Sequence, residues 1–136
     1  MSVAQNFTYA VVQVAHNFGA VAAVGGSLAA LKFRGVDTRR KLAWIALTGW
    51  GTQAASGAAF GAVSYYFYHR FPDIAGIAVT ALSIKMVCAA VGFLLLAAYL
   101  FRGDDWTVTK TNAVWIVSST LAVTALSAAA FLRWFS

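Results

Sequence analysis

The sequence has few charged residues and a single cysteine, and each of these scarcities excludes a kind of protein. Charged residues make up 10% of the 136 residues, against about a quarter in an ordinary soluble domain. The single cysteine, Cys88, excludes a disulfide within the chain. The remainder is largely apolar, at 61%. We therefore expect the protein to reside in a lipid bilayer rather than in water.

The apolar residues form four long runs, at about 7–31, 43–68, 74–100 and 113–132. Each run is long enough to cross roughly 30 Å of hydrocarbon as an α-helix. The runs are continuously apolar, whereas strands of a membrane barrel alternate polar and apolar residues. The sequence therefore predicts an all-α protein, in which residues 1–136 form one transmembrane four-helix bundle.

Basic residues are concentrated between the first two runs. Five of the ten lie between Lys32 and Lys41, whereas the second loop has only Arg70 and the third has Arg102 and Lys110. Loops rich in lysine and arginine stay on the cytoplasmic side. We therefore predict a cytoplasmic first loop, both termini outside, and a multi-pass protein of a bacterial inner membrane. The charge of +6 then indicates topology and not a nucleic-acid partner.

Two ionisable residues, His16 and Lys85, lie deep inside the predicted spans. Ionisable side chains are costly in hydrocarbon and mark functional sites. At 1.5 Å per residue, His16 lies roughly 14 Å and Lys85 roughly 17 Å from the outer face. The two residues are therefore predicted to share one layer, in a polar pocket between helices one, two and three. The other predicted members of this pocket are Gln13, Asn17, Gln53 and Ser56.

The second histidine, His69, is predicted to lie in a different environment. It falls at the outer end of helix two, beside Tyr65, Tyr66 and Tyr68, as in an interfacial aromatic belt. Because His16 and His69 differ in depth by most of a leaflet, they cannot both ligate one haem within a single chain. His16 is therefore the predicted metal ligand. The alternative is a structural imidazole satisfied by a neighbouring polar group.

Lys85 lies within the third apolar run, and none of the four runs contains an Asp or Glu that could neutralise its charge. A lysine near the midplane must be neutral, paired or hydrogen-bonded to a ligand. An anionic ligand group, such as a haem or porphyrin propionate, would be a suitable counter-ion. A neutral structural lysine is the alternative.

Small residues recur at four-residue spacing in the first two helices. Gly19, Ala23 and Ser27 form such a series in helix one, and Gly57 and Gly61 in helix two. Small residues let helix backbones approach closely in membranes. We predict that both series pack within the bundle rather than forming a dimer seam.

Three segments resemble a superfamily of small helical membrane proteins that includes CopD-like copper-resistance domains and HemJ-type protoporphyrinogen oxidases. The segments are His16 followed by Gly25-Gly26, then Thr48-Gly49 and Ser56-Gly57, and finally Leu82-Ser83-Ile84-Lys85. The resemblance covers three of the four helices. It implies that the helix-one histidine and the helix-three lysine act together, with haem b in the oxidase branch and copper handling in the other.

Three functional hypotheses follow. The first is haem b binding for redox or porphyrin-related chemistry, with His16 as iron ligand and Lys85 as the candidate catalytic residue. The second is copper handling or transport, for which only Met86, Cys88 and the two histidines are suitable ligands. The third is an accessory or anchor subunit that associates with other membrane subunits or forms a homo-oligomer. Whether the protein is an enzyme is left open.

Overall fold

Helices account for nearly all of the chain. A computed structural model describes residues 2–135, and no strand occurs in that range. The elements are α1 (Val3–Lys32), α2 (Val36–Tyr68), α3 (Ile77–Arg102), a 3-10 turn (Gly103–Asp105) and α4 (Val108–Phe135). The prediction of an all-α four-helix bundle is therefore confirmed.

Three of these helices have the length and composition needed to cross a membrane. They are α1, α4, and α3 together with the turn that follows it. The helix α2 is 33 residues long but is less apolar, because it begins with charged residues and contains many small and polar ones. The three apolar helices are those of an integral membrane protein.

The helices form two hairpins that pack side by side. α1 packs mainly against α2, and α3 packs mainly against α4, while α2 also contacts α3 and α1 contacts α4. This pattern places α1 and α3 diagonally across the bundle. A side chain that joins α1 to α3 must therefore cross the centre of the bundle.

The close contact of α1 with α2 depends on small residues. A Cβ added at Gly49 would lie 2.7 Å from the carbonyl oxygen of Gly19 and would also press on the backbone of Ala23. Ser27 packs toward α4, where its hydroxyl is 2.8 Å from that of Ser118. The predicted packing role of Gly19, Ala23 and Ser27 is therefore confirmed.

The predicted packing role of the second series is wrong for Gly57. A Cβ at Gly57 would meet nothing within 4 Å, and one at Gly61 would meet only the ring of Phe71. The face of α2 that contacts α1 is the one that carries Gly49. Glycine spacing alone could not distinguish these two faces.

Gly49→Ala is expected to push α1 away from α2 and to lower the free energy of unfolding by about 1–3 kcal/mol, the usual cost of overpacking. Gly57→Ala is a matched control, because it adds the same methyl group to the same helix in open space. Alanine favours a helix over glycine by up to about 1 kcal/mol, so this control should be equally or more stable. Thermal unfolding of both variants in detergent measures the difference. Equal stability would contradict the close contact of α1 with α2.

A buried arginine joins three helices at the basic end of the bundle, defined here as the end formed by residues 32–36. Arg39 is 5% exposed, and its Nε donates to the carbonyl oxygen of Ala30 at 3.1 Å. Its Nη1 donates to Oδ1 of Asn112 on α4 at 2.9 Å. The first of these bonds satisfies one of the carbonyls left unpaired at the C-terminus of α1. Arg39 therefore has a structural role beyond its part in the basic loop.

The core is filled mainly in the half of the bundle nearer the basic end. Trp50 is 3% exposed and rests on Gly92, where an added Cβ would lie 2.7 Å from the indole nitrogen. Trp115 is fully buried, with its ring edge against Tyr99 at 5.3 Å between centroids. Trp50 therefore packs the two hairpins together, and the contact of Trp115 with Tyr99 joins α4 to α3.

Burial decreases toward the opposite end of the bundle. On α1, five residues are buried between positions 19 and 30, whereas only Gln5 is buried between positions 3 and 16. His16 is partly buried and lies where the well-packed half ends. The polar layer described next therefore borders a less tightly packed part of the molecule.

Candidate functional site

His16 and Lys85 meet across the bundle. The distance from Lys85 Nζ to His16 Nε2 is 2.7 Å, and both side chains are partly buried. His16 lies near the middle of α1, and Lys85 reaches it from the diagonally placed α3. The prediction that these two residues share one layer is confirmed.

The hydrogen bonds around His16 define its tautomer. Ser56 Oγ lies 2.7 Å from His16 Nδ1, and its single hydroxyl proton is donated to the carbonyl oxygen of Thr52 at 2.6 Å. Ser56 must therefore accept a hydrogen bond from Nδ1–H. The lone pair of a neutral imidazole is then on Nε2, which accepts from the amine of Lys85. The result is a continuous chain of donors from Lys85 to the backbone of α2.

The structure places Gln53 and Ser56 in the pocket, as predicted. Both are buried, with exposed fractions of 8% and 6%. The side-chain amide of Gln53 donates to the backbone carbonyl of His16, so α2 holds both the ring and the backbone of this residue. α2 therefore positions His16 for its contact with α3.

Sequence analysis missed the aromatic wall of the pocket. The ring of Phe60 meets that of His16 edge-on, with centroids 5.7 Å apart, and Tyr9 stacks on Phe60 with centroids 6.3 Å apart. Phe60 lies one helical turn beyond Ser56, so helical spacing places the two on one face. This four-residue spacing from Ser56 was the feature of the sequence from which Phe60 could have been assigned to the pocket.

Gln13 and Asn17 do not line the pocket, and the prediction that they face the bundle interior is wrong. Both are exposed, and the amide nitrogen of Gln13 donates to Oδ1 of Asn17 at 2.7 Å. Consecutive helical residues point about 100° apart, so Asn17 turns away when His16 faces inward. The contacts of Gly19 and Ala23 with α2 set the rotation of α1 about its axis.

The two candidate soft metal ligands on α3 differ in burial. Cys88 is buried, whereas Met86 is 63% exposed. Ser83 is exposed and donates to the carbonyl oxygen of Val79 within its own helix. Within residues 2–135 no three His, Cys, Asp or Glu side chains come together as a possible metal site. The site therefore offers the nitrogens of His16 and Lys85 rather than a cluster of sulfur or carboxylate ligands.

No carboxylate in the described chain neutralises this pair of bases. The four aspartates are exposed, and the only ion pair found within residues 2–135 joins Arg40 to Asp104 at 3.2 Å, far along the chain from the pocket. Two basic nitrogens in hydrogen-bond contact cannot both carry a positive charge at low cost. The pair therefore suits a ligand that brings negative charge or accepts nitrogen lone pairs.

His69 is remote from this layer, as predicted. It is the C-cap of α2 in the left-handed conformation, with φ of 54°, and its ring meets Tyr65 edge-on at 6.4 Å. Along α2, it lies about 20 Å from Ser56 at 1.5 Å per residue. His16 and His69 therefore cannot act on the same group within one chain.

The geometry thus gives one site, in which α2 orients an imidazole toward an amine on α3. Comparison with known proteins adds no relative from which a role for these residues could be transferred: no protein-family model matches the chain, and no curated protein or solved structure matches it either.

Proposed function

We propose that the protein binds haem b at the His16–Lys85 site and serves membrane redox or porphyrin-related chemistry. The observation that supports this function is the direction of His16 Nε2, whose lone pair points across the bundle at the amine of Lys85, 2.7 Å away. Two nitrogen donors on diagonal helices thus converge on one point. Convergent nitrogen donors inside a helical bundle form a suitable site for a haem iron.

The remaining residues of the pocket fit this role. An imidazole that ligates a metal usually donates its other N–H to a fixed acceptor, which sets the tautomer and raises the basicity of the ligand nitrogen. Ser56 is that acceptor. Gln53 holds the backbone of His16, so the ring orientation is fixed independently of Lys85.

Lys85 would contribute to binding in one of two ways once His16 Nε2 is engaged. Its amine would either act as a second nitrogen ligand or pair with a propionate. The second role supplies the negative charge that the chain itself lacks around this pair. Bound haem b would supply an iron that accepts and donates one electron, with a reduction potential that depends on its ligands and its burial.

The uneven packing of the bundle supports access to the site. Between positions 3 and 16, α1 contributes a single buried residue, Gln5. A ligand that enters between the hairpins from this end disrupts little of the core. The tryptophan-filled half would remain intact.

An absorption spectrum of the purified protein, oxidised and then reduced, tests the proposal. We expect about one haem per chain and a spectrum that changes on reduction, as for a ligated b-type haem. Metal analysis of the same sample tests copper, the second hypothesis. A preparation from haem-replete cells that contains neither haem nor copper would favour the accessory-subunit hypothesis.

The proposed topology has four membrane crossings with both termini outside, in a bacterial inner membrane. It is supported by the five basic residues between Lys32 and Lys41, against Arg70 in the opposing loop. Reporter fusions at Gly35 and after the last residue are expected to report cytoplasmic and external locations, respectively. A cytoplasmic signal from the C-terminal fusion would overturn this topology.

A further inference from the structure

The exposed face of α1 carries polar groups at a depth where lipid cannot satisfy them. Gln13 and Asn17 are exposed, and Asn17 is one of the two central residues of a 30-residue helix. An amide group costs free energy in hydrocarbon unless it finds a hydrogen-bond partner. The single bond between Gln13 and Asn17 leaves most of their donors and acceptors unused.

The unused groups are self-complementary. Each side-chain amide has two N–H donors and one carbonyl oxygen. After Gln13 Nε2 has bonded to Asn17 Oδ1, the carbonyl of Gln13 and the NH₂ of Asn17 remain available. The bond also draws the side chain of Gln13 toward Asn17, so both amides lie in one layer. An identical pair, related by a two-fold axis along the membrane normal, would present an acceptor to each free donor.

The surrounding residues permit close helix contact. Asn6, Ala10, Gln13 and Asn17 are all exposed and follow one another at spacings of four, three and four residues. Alternating spacings of three and four residues are typical of the contact face of a helix that packs along a parallel partner. The small side chain of Ala10 allows the two backbones to approach near the amide layer.

We propose that two copies of this chain associate through the polar face of α1, defined by Asn6, Ala10, Gln13 and Asn17. In a two-fold interface the same surface of each copy is used, so every contact occurs twice, once on each side of the axis. The free NH₂ of Asn17 donates to the carbonyl of Gln13 in the second copy, on both sides of the axis. This surface is separate from the His16–Lys85 pocket. An experiment can therefore disprove the dimer without contradicting the proposed haem site.

The experiment is a dissociation measurement in lipid vesicles, by energy transfer between labelled full-length chains over a range of protein-to-lipid ratios. Asn17→Val removes the amide that supplies the free donors. We expect it to raise the dimer dissociation constant at least about tenfold, because interhelical hydrogen bonds contribute measurably to association in membranes. Thr120→Val is the matched control, since Thr120 is also exposed but donates to the carbonyl of Ile116 in its own helix.

Cross-linking gives a second measurement that does not depend on affinity. In a Cys88→Ala background, Asn17→Cys is expected to form a disulfide between chains under mild oxidation, whereas Thr120→Cys is not. A chain that is monomeric at every lipid ratio, or equal cross-linking at both positions, would overturn the proposal. So would an Asn17→Val protein that associates as tightly as the unaltered chain. Binding of an unrelated membrane protein to this face, in place of a second copy, would overturn it as well.

Discussion

His16→Ala is expected to reduce bound haem more than tenfold, because it removes the imidazole nitrogen that faces the bundle interior and leaves Lys85 as the sole nitrogen donor. The measurement is the haem content per chain, from the absorption of the purified protein. Ser56→Ala should weaken haem retention less than His16→Ala does, because it removes only the acceptor that orients the imidazole. Added imidazole should restore part of the spectrum of the His16→Ala protein if the cavity remains. Such a rescue would separate loss of the ligand from loss of the fold.

The control for this prediction is His69, the other histidine of the chain. His69→Asn is the suitable substitution, because His69 has a left-handed backbone with φ of 54° and asparagine tolerates that conformation. This variant is expected to retain its haem. Equal loss from the His16 and His69 variants would place the ligand at a surface or an intersubunit site and would contradict the proposed pocket.

The main polar contact of this site was accessible from the sequence because burial of an ionisable group in hydrocarbon is so costly. His16 and Lys85 are conspicuous among uninterrupted apolar residues, and counting 1.5 Å per residue placed them in one layer. Gln53 and Ser56 followed from the return of helix two through the same layer. Depth along a span was therefore predictable for all four residues.

Rotation of a helix about its axis was not predictable in the same way. Gln13 and Asn17 have the right depth, but the contact of α1 with Gly49 turns them outward. In a soluble helix the apolar stripe would reveal the buried face. In this chain the exposed side of α1 also carries large apolar residues, among them Phe7, Val14 and Phe18, so the apolar pattern contains little information about rotation.

The basic segment was also predicted only in part. Five lysines and arginines between positions 32 and 41 indicate topology, and that interpretation treats them as equivalent. In the structure α2 begins at Val36, seven residues before the predicted start at 43. Arg39 is thereby buried against Ala30 and Asn112. The partners of one arginine in such a group depend on tertiary contacts that the sequence does not display.

The binding role of Lys85 can be distinguished from a purely structural role, because the two roles predict different haem contents after the same substitution. If Lys85 pairs with an anionic group such as a propionate, Lys85→Met is expected to lower haem retention at least about tenfold, since methionine carries no positive charge. Lys85→Arg would keep the charge with a different geometry, and it should retain an intermediate amount if a propionate is the partner.

A structural lysine would behave differently on the same substitution. Lys85→Met removes an amine that has no carboxylate partner, so a purely structural role predicts equal or higher thermal stability and unchanged haem content. Ser83→Ala is the control on α3, because Ser83 is exposed and bonds within its own helix. We expect the haem-free Lys85→Met protein to unfold near the temperature of the unaltered haem-free chain, with the defect confined to binding. A Lys85→Met protein with unchanged haem content and spectrum would exclude Lys85 from the binding site and favour the accessory-subunit hypothesis.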